Sequence, residues 1–199
     1  MRIEIRAKEV VISGYVNAVC RDSRVMRLPD GTRFVEQVGE GVFSKAIAAN
    51  KDVKLKFNHE RVVGSTADGS LELKEDSIGL HAVAKVADPD VIAAADAGEI
   101  TGWSFGFDVI EDNWEDWTAD GIKRRHLKEI QLNEVSILSG RIPAYAGTSY
   151  ELRGEDISTM ELRGLHETEI EKMDIRAPEP GFDAGKIRKM RLNIKKMEV

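Results

Sequence analysis

One cysteine, five prolines and no long apolar run remove several protein classes from consideration. The single thiol, Cys20, can form no intramolecular disulfide and no cysteine zinc cage, and it suits a reducing compartment. Arg21, Asp22 and Ser23 follow it, with no histidine nearby in sequence, so nothing marks Cys20 as a nucleophile. No stretch approaches the roughly 20 apolar residues of a membrane span. Residues 1–8 carry four charges where a signal peptide needs an apolar run, so the expectation is a soluble protein made in the cytoplasm, with no membrane partner. A basic excess is also missing. Against 29 lysines and arginines stand 35 aspartates and glutamates, a net charge of −6, which offers no broad surface for phosphates and argues against nucleic acid as a partner. The four histidines, His59, His81, His126 and His166, show no H-x-H or H-x-x-x-H spacing, so no metal site is expected.

What is present is enough apolar residue for one good core in 199 residues, hence one domain with an appendage. Ile3, Ile5, Val10, Ile12 and Val16 give one or two strands, interrupted at Ser13-Gly14. Leu28-Pro29-Asp30-Gly31-Thr32 is a turn leading by a hairpin into a strand at 34–38. Short helices are expected at 42–50 and 89–98, the second with Gly98 placed for its C-cap. Val53, Leu55 and Phe57 alternate with polar residues in a strand whose inward parity would include His59. Residues 62–64, 71–73 and 79–87 read as consecutive antiparallel strands. In residues 100–110 Trp103, Phe105 and Phe107 take one face, a core face, while Ser104 and Gly106 take the other, leaving space beside the serine for a substrate backbone. Residues 112–120 form an acidic loop whose Trp114 and Trp117 either cover a cleft or tuck onto the core. A further strand or strand pair occupies 124–138. From residue 151 charges crowd, with a helix at 160–175, a Pro178–Gly181 hinge and a basic segment at 186–196. Glu151-Leu-Arg-Gly154 recurs as Glu161-Leu-Arg-Gly164, through chance or as paired recognition or cleavage segments.

A serine becomes a nucleophile at neutral pH only beside a base that a third group orients. Asn58-His59-Glu60 with Val63-Gly64-Ser65-Thr66, and Gly102-Trp103-Ser104-Phe105-Gly106-Phe107, together resemble the prohead (capsid maturation) proteases of tailed bacteriophages. Phe34-Val-Glu-Gln-Val38, Gly41-Val-Phe43, Leu71–Asp76 with Gly79-Leu80, Leu132–Ser136 and Pro143-Ala-Tyr145 stand in the family's order, so the resemblance spans roughly residues 10–150. It implies an α+β fold, a mainly antiparallel β-barrel similar to herpesvirus assembly proteases, with a few flanking helices at 1–150 and a charged helical tail at 151–199. It also implies a serine endopeptidase that acts inside the assembling prohead in the host cytoplasm. Its partners would be the major capsid and scaffold proteins, with itself as a further substrate, and no cofactor would be required. Herpesvirus enzymes depend on dimerisation, so a homo-oligomer is open.

Carried over by position, Ser104 would be the nucleophile and His59 the general base. Glu134, taken to share the inward parity of Ile130 and Leu132, would be the third member, with Glu129 and Glu60 as alternatives. By analogy with an arginine-containing loop in the herpesvirus enzymes, Gly140 and Arg141 would supply the oxyanion hole. The tail would target the enzyme to its partners or be removed by self-cleavage. Two other classes remain: a non-catalytic β-barrel assembly protein that binds scaffold, and a metal-dependent hydrolase using His59, His81 and acids.

Overall fold

Alternating apolar and polar side chains carry most of the chain into strands. The computed structural model describes residues 1–6, 8–145, 160–163 and 166–170. β1 (Arg2–Arg6), β2 (Glu9–Ala18), β7 (Leu71–Glu75) and β8 (Gly79–Val86) form an antiparallel sheet in the order β1-β2-β8-β7. The larger sheet holds β3 (Met26–Arg27), β4 (Arg33–Val38), β5 (Lys54–Phe57), β6 (Arg61–Ser65), β9 (Ile100–Asp116), β10 (Lys123–Ser139), β11 (Met160–Arg163) and β12 (His166–Ile170). Helices α1 (Val42–Ala49) and α2 (Pro89–Asp96) complete the described elements.

β10 is the spine of the larger sheet. One edge pairs antiparallel with β9, and the other takes β4 in parallel at Lys123–Leu127 and then β5 in parallel at Glu134–Ile137. β4 and β5 are not paired with each other; α1 links them as successive parallel partners along one edge of β10. The expected α+β, mainly antiparallel architecture holds, since among the described residues only the pairings of β10 with β4 and β5 are parallel; the barrel is corrected, because no closed barrel forms among the described residues.

Several local expectations hold. The Leu28–Thr32 turn closes with the Leu28 amide on the Thr32 carbonyl (2.9 Å) and Gly31 at φ 88°. Asp88 caps α2 by accepting from the amides of Asp90 and Val91, and Gly98 at φ 71° leads the chain away from the helix. The start of α1 is capped from a distance: the Glu75 carboxylate accepts from the Gly41 and Ser44 amides at 2.8 and 2.6 Å.

Others are corrected. Ser13 and Gly14 lie inside β2, paired with Val83 and Ala82. β6 and β7 are not neighbours, since residues 66–70 carry the chain from one sheet to the other. The acidic loop shrinks to residues 117–122 because β9 runs on to Asp116, held by antiparallel pairing with β10. Where the sequence predicts a tail helix at 160–175, residues 160–163 and 166–170 form β11 and β12, Met160 and Leu162 alternating in the sequence with charged residues at a strand's period and β12 pairing with β3, while 164–165 and 171–175 lie outside the described residues. The first Glu-Leu-Arg-Gly copy, the Pro178–Gly181 hinge and the basic segment lie outside the described residues.

Both sheets and both helices contribute to one hydrophobic core, from Ile12, Leu71 and Leu80 in the smaller sheet to Phe34, Leu55, Trp103 and Leu132 in the larger. Phe105 sits within it, with the rings of Phe43 and Phe107 both 5.2 Å away and Tyr145 at 5.8 Å.

Candidate active site

The parity that buries Trp103, Phe105 and Phe107 turns Ser104 and Gly106 to the other face of β9. There Ser104 lies opposite Ser136, and Gly106 opposite Glu134. Directly paired residues share a face, so Ser104, Ser136 and Glu134 project together. A β-bulge makes this so. Leu132 pairs with Phe107 and Glu134 with Gly106, leaving Asn133 as the extra residue. Ile130 and Leu132 are core residues before the bulge, and Val135 and Ile137 after it. Glu134 is thus not in the inward set of Ile130 and Leu132; the bulge re-aims it toward Ser104's face.

His59 arrives from the hairpin that joins β5 to β6. The apolar alternation ends at Phe57, so His59 does not continue the strand's inward parity. Asn58 and His59 both have positive φ, 53° and 64°, and the Glu60 amide closes the turn on the Phe57 carbonyl at 3.1 Å. Positive φ at two successive positions lets the chain reverse within the three residues between the paired Phe57 and Arg61, and asparagine and histidine tolerate it better than most residues.

Each member of this turn grips a different part of β10 or the loop after it. Asn58 Oδ1 accepts from the Ser139 amide (2.8 Å), His59 Nδ1 donates to Glu134 Oε1 (2.5 Å), and Glu60 pairs with the Arg141 guanidinium. The His59 amide also donates to Ser136 Oγ (2.8 Å). His59 is therefore one hydrogen bond from the residue that faces Ser104 across the strands.

With Nδ1–H committed to a carboxylate, Nε2 is the lone-pair nitrogen. It is buried and makes no hydrogen bond among the described residues. Glu134 is only 7 % exposed. Burial pushes its carboxyl up, but the hydrogen bond from His59, the ammonium of Lys56 and, where the imidazole is protonated, the charge of His59 outweigh that and hold it below the ordinary glutamate range. The space expected beside Ser104 for a substrate backbone is instead partly filled. A Cβ on Gly106 would lie 2.7 Å from Glu134 Cγ, so this glycine admits the carboxylate. Ser104 itself is 2 % exposed.

The remaining candidates separate. Glu60 is taken by Arg141, and Glu129 lies opposite Glu111 on β9. His81 is in the smaller sheet, its ring edge-on to Tyr15 at 5.1 Å, and His126 pairs with Glu115 at 3.0 Å. His59, in the β5–β6 turn of the larger sheet, and His81, in β8 of the smaller, stand on different sheets, and among the described residues no group of three or more histidine, cysteine and acidic side chains is placed to hold a metal. Gly140 has φ 65°, and its amide donates to the Glu99 carbonyl (3.3 Å). Trp114 packs on Phe34 beneath Arg125, and Trp117 lies under Arg124.

Sequence reasoning missed Lys56 and Ser136. Lys56 was legible only as the polar parity of β5, yet that parity faces the site, and its ammonium pairs with Glu134 Oε2. Ser136 gives no signal in sequence because its role lies in a backbone contact. Other motif residues prove structural: Glu36 is buried, accepting from Tyr145 OH (2.9 Å) and pairing with Arg125 (3.4 Å).

A family model described as Caudovirus prohead serine protease matches residues 1–163. No curated protein and no solved structure matches the chain.

Proposed function

Because the chain belongs to the caudovirus prohead serine protease family, we propose that it hydrolyses peptide bonds of scaffold and major capsid proteins inside the assembling prohead, through an acyl-enzyme on Ser104. The observation that carries this reading is the 2.5 Å pair between His59 Nδ1 and Glu134 Oε1, with Nε2 left as an unengaged base on the side of β10 that Ser104 faces.

The chemistry follows from these roles. His59 Nε2 takes the Ser104 hydroxyl proton as Oγ attacks the scissile carbonyl, and Glu134 stabilises the imidazolium that forms. The proton then passes to the leaving amine, and water repeats the sequence on the ester. Backbone amides at Gly140 and Arg141 are assigned to the oxyanion, supported by the anchoring of residues 139–141 to the His59 turn through Asn58 and Glu60. The Gly140 amide is engaged by Glu99, so it must exchange that 3.3 Å bond for the oxyanion. With Ser104 2 % exposed, substrate entry requires the groups that cover it to move.

Intact mass of the wild-type protein beside Ser104→Ala, followed over hours with its scaffold and capsid proteins, tests the reading. Fragments that form only with wild type, at a rate that Ser104→Ala lowers by roughly three orders of magnitude or more, are expected. Fragments from the tail would extend the reading to self-cleavage, and identical masses in both samples would favour a scaffold-binding assembly protein instead.

A further inference from the structure

We propose that Lys56 is a positioning residue of this site: its ammonium holds the second oxygen of Glu134 so that the first stays aimed at His59 Nδ1. The inference rests on the catalytic reading of Ser104, His59 and Glu134.

A carboxylate 7 % exposed with one partner would be poorly compensated for the water it has lost. Here the two oxygens are held from different elements and in different ways: Oε1 is hydrogen-bonded to His59 in the hairpin turn, while Oε2 accepts no hydrogen bond and is held by its ion pair with Lys56 in β5. From β9 the facing residue is Gly106, which brings no charge. Lys56 and His59 are thus the groups that decide how this carboxylate is oriented and whether it stays ionised. Without the ammonium, Oε2 has no described partner, and the carboxyl gains a reason to rotate or protonate. A protonated Glu134 loses its charge-assisted hold on the Nδ1–H tautomer, and with it the lone pair on Nε2.

β5 contains its own control. Lys54 projects from the same face two residues earlier and stands directly opposite Glu134 in the register, yet its ammonium turns to Asp52 at 2.5 Å. Its side chain is 45 % exposed, against 29 % for Lys56. Removing either lysine changes the net charge equally, but only one touches the carboxylate.

The test compares Lys56→Met, Lys56→Arg and Lys54→Met. The 13C signal of the Glu134 carboxyl, assigned with Glu134→Gln, is titrated in a Ser104→Ala background, and kcat and KM for scaffold cleavage are followed against pH with Ser104 present. In Lys56→Met the carboxyl should titrate at higher pH than in the parent. kcat should fall roughly 10- to 100-fold, the scale on which residues supporting a site's ligands act, with KM little changed and the acid limb moved to higher pH. Lys56→Arg should keep the parent titration and most of the kcat, and Lys54→Met should match the parent throughout.

An unmoved carboxyl titration in Lys56→Met overturns the proposal, as does an equal shift in Lys54→Met. Loss as complete in Lys56→Arg as in Lys56→Met also overturns it, because a positioning cation is replaceable by a cation and a lysine base is not. Should Lys56→Met fail to fold, Lys56→Gln reads the same titration. If the wild type cleaves no scaffold, the catalytic reading falls, while the titration still decides whether Lys56 governs Glu134.

Discussion

At Gly106 the missing side chain admits a neighbour. Any Cβ there meets Glu134 Cγ at 2.7 Å, so the glycine of the Ser-Phe-Gly run is explained by the carboxylate it faces. The carboxylate, in turn, makes stability depend on pH. Its folded pKa lies below its ordinary value because of His59 and Lys56, despite burial. A group depressed in this way contributes fully above its unfolded value, and the contribution disappears as pH falls through the lower folded value. Denaturant titrations should find Glu134→Gln less stable than wild type by about 1–3 kcal/mol near neutrality. That gap should close as pH drops below the unfolded carboxyl value of about 4.3. A gap that stayed constant to pH 2 would show that the ion pair is not its source.

The hairpin between β5 and β6 is the element on which the site turns, since three consecutive residues bind three parts of β10 and its following loop. Asn58 has two jobs there: it accepts a positive φ of 53°, and its side chain holds the Ser139 amide at 2.8 Å. Substitution separates them. Asn58→Gly keeps the backbone freedom and loses the hydrogen bond, a cost of about 1 kcal/mol. Asn58→Ala adds the left-handed penalty, roughly 1 kcal/mol more. Melting midpoints should fall in the order wild type, Asn58→Gly, Asn58→Ala, and equal values for the two variants would mean that φ is not a constraint at this position. The bulge at Asn133 is the second deciding element, because it lets Leu132 and Val135 both face the core while Glu134 is turned to the site.

Across the whole molecule, two sheets share one core, so damage in either should be felt in both. Trp103, Trp114 and Trp117 all lie on or just beyond β9, which makes fluorescence a reporter of the larger, site-bearing sheet. Ile12 is fully buried in the smaller one. Ile12→Ala should destabilise the protein by about 2–5 kcal/mol. The loss should appear equally in tryptophan fluorescence and in far-ultraviolet circular dichroism, as a single transition. Separate midpoints would show that the sheets unfold independently.

The amino-acid sequence by itself determined the predominance of strands, the two short helices, the turn at Leu28–Thr32 and the opposite facing of Ser104 and Phe105, because each depends on local period, capping or turn chemistry. The motifs around His59 and Ser104 also made the family legible, and the model that matches residues 1–163 agrees. Tertiary structure decided the rest. Parallel pairing of β10 with β4 and β5 joins segments far apart in the chain, and no local pattern records which edges meet. The His59 turn and the Asn133 bulge each break the two-residue period, so counting parity along the strand misplaces both His59 and Glu134. Lys54 and Lys56 are equivalent by period; only the packing of β5 against β10 gives one of them the buried carboxylate and leaves the other with Asp52.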